Sequence, residues 1–277
     1  MIILCSCSSR LRFYLFAGDT NSLYSHKNLK TLEKIVNDEL IGKCLQLAYL
    51  KLSLNLKKSN FVIFCPYQKE LIPFTPKLYI YDPSTNKQKQ LECREFVEYL
   101  GVLIDYKLSW NNHIDTILLK ISRTVGLLLK LRHFVPFSTL ISIYHSLIAP
   151  YLWYGLIAWG QASKSQLNKL LVLQKHALHF IHFAKPCDHA IPLFINTKIL
   201  PINFLYYQLL SETTSDVRNN LVPTNIQELF LPLSCVHSYG TRSSTSQNFY
   251  IKKSNREIQK TSFSWPGAKL WNEIPTN

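Results

Sequence analysis

His176, His179, His182, Cys187 and His189 are the densest set of metal-ligating side chains in this sequence. Histidines three residues apart share one face of a helix, so part of this set could hold zinc. The set lacks the paired-ligand spacing of structural zinc sites, which weighs against that chemistry. Lys120, Arg123, Lys130, Arg132 and His133 form a second group. Cations recurring along one helix usually make a solvated face. With almost no acid among them, they could also bind a phosphate backbone in a sequence-independent, salt-sensitive way. Gly18-Asp19 is a pair that favours a β-turn, Lys57-Lys58 reads as a solvated charge pair, and Leu100-Gly101-Val102 reads as sheet with a bend at Gly101. The sequence holds no nucleophile elbow, P-loop or dinucleotide-binding motif.

These side chains must be carried by the elements around them. Residues 12–24 read as a strand, a tight turn at Ala17-Gly18-Asp19-Thr20 and a return strand. Leu29, Leu32, Val36, Leu40 and Cys44 recur at helical spacing, with Ser25 or Asn28 as a cap. Residues 52–56 alternate, Phe61–Cys65 suggests a short buried strand, and the proline-bearing stretch 66–95 a surface loop or ribbon. Phe96–Asp105 is strand again. After Ser109 the period turns helical: Ile114, Ile117, Ile121, Val125, Leu128 and Leu129 define one apolar face, with the cations of the second group off it. Gln166–Phe183 forms a further helix and residues 201–214 another, opened by Pro201. The tail from 234 is rich in Ser, Thr and Asn and is expected to be loosely ordered, with its end docking through Trp265 and Trp271.

Composition sets the outer limits. In 277 residues, 47% apolar and 17% charged side chains can build a core of one large or two modest domains. The formal charge of +14 calls for a polyanionic partner, nucleic acid before membrane surface. Residues 106–185 concentrate it, with nine basic side chains against Asp115 alone. Seven scattered cysteines without a CxxC pair disfavour a disulfide framework and fit a reducing compartment. The apolar start lacks a basic n-region, so no signal peptide and an intracellular location are expected.

Phe134–Ser163 contains no Asp, Glu, Lys or Arg and exceeds the roughly 20 residues that span a bilayer. Pro136, Pro150, His145 and Gln161 interrupt it, and its aromatics are spread along it rather than gathered at two ends. Two buried core helices meeting near Pro150 are expected. A membrane-associated helical protein built on residues 134–163 is the alternative.

Four stretches, in order, resemble the reverse transcriptases of non-LTR, LINE-type, jockey-like retrotransposons. Phe13–Tyr24 is similar to that family's Phe-Ala-Asp-Asp hairpin. Lys51–Phe64, with Asn55, Lys58 and Phe61, is similar to its next palm motif. Glu98–Asp105 is similar to the primer-grip hairpin, and Leu108–Ile114 with Tyr144–Gln161 to the stretch that leads into and forms the helical thumb. The resemblance implies an α+β fold. Residues 1–105 would be a partial palm of antiparallel strands and a helix, 106–185 an all-helical thumb, and 186–277 a C-terminal helical or tail region.

The implied reaction is nucleotidyl transfer to a DNA primer on an RNA template, with two Mg2+ ions held by three carboxylates. No small-molecule cofactor is implied. The resemblance places Asp19 as a magnesium ligand, Lys58 near the phosphates of an incoming nucleotide, and the Leu100-Gly101-Val102 backbone at the primer end. Basic residues of relatives near positions 176 and 179 offer backbone contact as a reading of the histidines there.

The chain departs from that pattern. The family's first hairpin Asp aligns with Gly18, which has no ligand, and no Asp or Glu precedes Gly18 in the sequence given. A C-terminal reverse-transcriptase fragment without catalytic activity is therefore expected, Asp19 being at most a weak residual ligand. A non-catalytic nucleic-acid-binding remnant using Lys120, Arg123, Lys130 and Arg132 is the alternative from another class.

Overall fold

The structure is a computed structural model that describes residues 11–16, 19–49, 55, 58–64, 75–82, 87–185, 187–236, 248–254 and 260–274. The chain divides into two units, Met1–Leu108 and Ser109–Asn277.

In the first unit, β1 (Arg12–Phe16) and β2 (Asp19–Leu23) pair antiparallel, with Phe16 opposite Asp19. The turn expected at Ala17-Gly18 lies outside the described residues. Helix α1 (Leu29–Tyr49) is capped by Asn28, whose Oδ1 accepts from the Lys30 amide at 2.9 Å. Val36 and Cys44 of the expected apolar stripe are buried. β3 (Asn60–Phe61) is only two residues long and half-buried, and Phe64 is exposed, so the buried strand expected over 61–65 is shorter and shallower. Cys65 lies outside the described residues, as does most of 52–56.

The stretch read as loop or ribbon contains a hairpin, β4 (Tyr79–Asp82) with β5 (Lys87–Gln90). Leu78 and Ile80 are buried there, where the residues 66–95 were expected on the surface. The cause is α1. Asn37 donates to the Lys77 carbonyl at 3.0 Å and accepts from the Tyr79 amide at 2.9 Å, fastening the ribbon to the helix.

β6 (Glu92–Cys93) pairs with β3 in parallel, and β7 (Phe96–Tyr99) with β8 (Val102–Asp105) antiparallel. Four two-stranded sheets result among the described residues, one of them parallel. That differs from wholly antiparallel strands. The chain between β3 and β6 is long enough to supply the crossover that parallel pairing needs.

The second unit is helical. In α2 (Asn111–Leu131) the side chains of Ile114, Ile117, Ile121, Val125 and Leu128 are buried, as is His113. Leu129, expected on this face, is instead exposed, because it stands 100° round the helix from Leu128. The uncharged stretch forms three short helices rather than two: α3 (Phe137–Leu147), α4 (Ala149–Trp153) and α5 (Leu156–Trp159). A second break falls at Tyr154–Gly155, where Gly155 takes φ 65°. Burial is one-sided. Leu140, Tyr144, Ile148, Leu152, Leu156 and Trp159 are inside, while Phe137, Trp153 and Tyr154 are exposed. Among the described residues no helix is long and apolar enough to cross a membrane, so the membrane alternative finds no support.

Helix α6 (Lys164–Ile181) is capped by Ser163 and packs against α2. Helix α7 (Ala190–Thr197) follows, then α8 (Ile202–Arg218), which begins after Pro201 as expected. Regular structure recurs among the described residues that follow. After α9 (Thr224–Gln227) and a 3-10 turn at Leu233–Cys235, helix α10 (Ser264–Glu273) packs on α8. Val217, Phe230, Phe249 and Ala268 make a small core there, with Phe263 and Trp271 against it. Asn272 closes it by exchanging two hydrogen bonds with the Phe249 backbone, at 2.8 and 2.9 Å. Trp271 packs on that core as expected, and Trp265 is half-buried with Lys269 Nζ 5.9 Å from its ring centre.

Candidate nucleic-acid interface

The basic face of α2 follows from its period. With the apolar residues turned inward, Arg123 and Lys130 fall on the opposite side, and both are exposed. Lys120 lies on the flank, its Nζ 5.2 Å from the centre of the Tyr151 ring. Arg132 sits one residue past the helix, where its guanidinium lies 4.8 Å from the Phe183 ring centre and 6.0 Å from that of Phe180. Its Nε donates to His133 Nε2 at 3.2 Å.

Among the described residues, the ion pairs are Arg94–Glu92 and Lys269–Glu273, and none involves these four cations. Asp115 is the only acid of α2. Within the helix one carboxylate stands against Lys120, Arg123 and Lys130, and that excess of positive charge attracts a polyanion. It acts inward too: burial, and then Lys120, lower the pKa of His113.

The hairpin positions fare differently. Asp19 opens β2 and is exposed; Gly18 lies outside the described residues. Among the described residues no group of three or more His, Cys, Asp or Glu side chains is placed to hold a metal ion. One exposed carboxylate does not fit a two-magnesium site, which needs several oxygen ligands at once. Lys58 is exposed at a turn in which its amide donates to the Asn55 carbonyl at 3.0 Å. Leu100 and Gly101 form the two-residue turn between β7 and β8 with φ 48° and 79°, and Val102 faces Tyr99 across it. Positive φ at both central residues matches the right-handed twist of a hairpin.

The histidine set is dispersed in role. His179 Nε2 lies 3.1 Å from the Asp188 carbonyl within the turn after α6. His182 meets Phe137 edge to face at 5.1 Å, and burial lowers its pKa. His176, Cys187 and His189 are exposed.

Phe134, Phe137 and Phe183 were not singled out by the sequence reading. Phe183 lies against Arg132 and His133, Phe137 meets His182, and Phe134, next in sequence to His133, is 83% exposed. A local signal existed in Lys130-Leu-Arg-His-Phe134-Val-Pro-Phe137, which interleaves cations and aromatics, but Phe183 comes from the far end of α6.

Part of the chain is similar to RNA-directed DNA polymerases of mobile elements. It is 38% identical over 88 residues to the RNA-directed DNA polymerase from mobile element jockey of Drosophila melanogaster, covering 30% of this chain and 10% of that protein. Over 135 residues it is 30% identical to the jockey enzyme of Drosophila funebris, covering 45% of this chain and 15% of that one. Over 136 residues it is 29% identical to the probable RNA-directed DNA polymerase from transposon X-element of Drosophila melanogaster, covering 47% and 14%. Each match thus spans a small part of a much longer relative. No family model matches the chain, and no solved structure matches it.

Proposed function

We propose that this chain is a nucleic-acid-binding portion of a mobile-element RNA-directed DNA polymerase and that it does not itself polymerise DNA. Residues 1–105 correspond in this reading to part of the palm, 106–185 to the thumb, and 186–277 to a region that follows it. The carrying observation is the outward face of α2, where Arg123 and Lys130, flanked by Lys120 and Arg132, have no carboxylate partner among the described residues. Such a face suits the backbone of an RNA template paired with a DNA primer, which offers charge without requiring sequence. The Leu100-Gly101-Val102 turn is the reading's primer-end contact, and Lys58 its contact with nucleotide phosphate.

Inactivity rests on Gly18. The resemblance sets a carboxylate there, glycine supplies none, and Asp19 alone cannot hold two divalent cations. Primer extension by the 277-residue protein, on an RNA template with Mg2+, is expected to give no incorporation. Incorporation that disappears in Asp19→Ala would overturn this part of the reading.

A further inference from the structure

Phe183 combines two unfavourable features. It is an apolar ring 50% exposed to water, and it occupies the position just past α6 with φ 54°. Left-handed backbone at a helix C-terminus is normally given to glycine or asparagine, because a Cβ is strained there. The turn is otherwise regular: the Ala184 amide donates to the His179 carbonyl at 3.0 Å. Nothing about closing this helix requires an aromatic ring. A strained, solvent-facing residue held by well-made surroundings is a reason to look for function.

The surroundings of Phe183 are cationic and aromatic. Arg132 lies over its ring at 4.8 Å, and the His133 ring meets it edge to face at 5.4 Å. Phe134 is 83% exposed and Phe137 is 49% exposed. Lys130, near the end of α2, and Lys185, four residues past α6, are both exposed. The one acid in the turn after α6, Asp188, has an Oδ2 that accepts from the Lys185 amide at 2.7 Å.

Resting on the nucleic-acid reading above, we propose that Phe134 and Phe183, with Arg132, form a stacking platform for unpaired nucleotides at the C-terminal ends of α2 and α6. Bases present π-faces that exposed aromatic rings and guanidinium planes accept irrespective of sequence, while flanking cations track the phosphates. A purely apolar partner would not call for this density of cations. A blunt duplex, with every base stacked inside, can use the cations but not the rings. The site therefore distinguishes a single-stranded extension from the duplex that the α2 face accepts.

The test is fluorescence anisotropy with the 277-residue protein. Labelled single-stranded oligo(dT), single-stranded oligo(U) and a blunt duplex of equal length are titrated at one salt concentration. Phe183→Gly is the informative variant, because glycine suits the left-handed backbone and preserves the fold; its melting temperature should match or exceed wild type. Loss of stacking is expected to weaken both single strands about tenfold or more, leaving the duplex within about twofold. Phe134→Ala should act in the same direction.

Equal affinity of Phe183→Gly and wild type for the single strands would overturn the platform while leaving the basic-face reading intact. No binding of any probe by wild type, even at low salt, would overturn both. Weakening of oligo(dT) and oligo(U) alike supports base stacking. An effect confined to the RNA would instead point to 2′-hydroxyl recognition and contradict the platform.

Discussion

Gln174 Nε2 donates to Tyr144 Oη at 2.8 Å inside the helical unit, joining α6 to α3 through two buried side chains. The same amide nitrogen donates to the Leu200 carbonyl at 2.8 Å, and Gln174 Oε1 accepts from the Ile202 amide at 3.0 Å. One polar side chain therefore ties α3, α6 and the start of α8, and it does so with all three bonds made. Gln174→Leu keeps much of the volume but strands the Leu200 carbonyl and the Ile202 amide. A buried polar group left without its partner costs about 1–3 kcal/mol. Urea unfolding should show a loss of about 3 kcal/mol in total; a change under about 0.5 kcal/mol, the scale of an ordinary surface substitution, would contradict this role.

Tyr144 also carries a pH signature. Burial pushes its phenol up to about 12, with the Gln174 hydrogen bond acting weakly the other way. The native state holds the phenolic proton more tightly than the unfolded chain does. The associated stability is complete below the ordinary value of 10.0 and is lost as pH rises from there toward about 12. Phenolate absorbance in the near ultraviolet, followed with near-ultraviolet circular dichroism, checks it. Tyr144→Phe should remove one late-titrating phenol from the profile. A full complement of phenolates near pH 10 in protein that is still folded would contradict the assignment.

Gly160, between α5 and α6, tests packing. A Cβ there would run into the Tyr206 ring of α8 and the Leu156 carbonyl. Gly160→Ala must displace that ring and disturb the bond from Gln161 Nε2 to Tyr206 Oη, which is 2.8 Å. Overpacking of this kind costs about 1–3 kcal/mol. Thermal unfolding should show the loss, and Gly42→Ala, where a Cβ meets nothing within 4 Å, should not. Equal melting temperatures for Gly160→Ala and wild type would contradict the close approach.

His113 reports on the basic face from inside. Its pKa is lowered first by burial and second by Lys120. A neutral imidazole is thus favoured in the folded state, so its contribution to stability is complete above the ordinary value of 6.5 and is lost as pH falls through the lowered one. Lys120→Gln removes the second cause and should move the His113 titration back toward 6.5 in a proton NMR series. No movement would show that the Lys120 charge does not reach the ring.

Much of this was legible in the sequence where one period dominated. Ile114, Ile117, Ile121, Val125 and Leu128 repeat at helical spacing, and their burial follows. Leu129 was misplaced because an apolar neighbour of Leu128 fits the pattern by type while pointing away from the core. In 147–160 every side chain is apolar or aromatic, so period could not locate the break at Tyr154–Gly155. Leu78 and Ile80 were hidden by their proline-bearing, polar neighbours; only Asn37, distant in sequence, brings α1 over them. The hairpin around Asp19 was readable because turn residues act locally, whereas Phe96–Asp105 reads from its residues as one bent strand and is two strands that turn at Leu100-Gly101. The approach of Phe183 to Arg132 and His133 and the role of Gln174 were not readable, since each depends on how α6 sits against its neighbours.

The most direct measurement for the account is the salt dependence of duplex binding by the 277-residue protein. Filter binding of an RNA–DNA duplex across a salt series should give an affinity that falls linearly on logarithmic axes. Replacing Arg123 and Lys130 by Gln should lower the slope by about 1 for each phosphate contact removed. A wild-type affinity indifferent to salt, or a slope unmoved in the doubly substituted protein, would contradict a polyanion-binding face on α2.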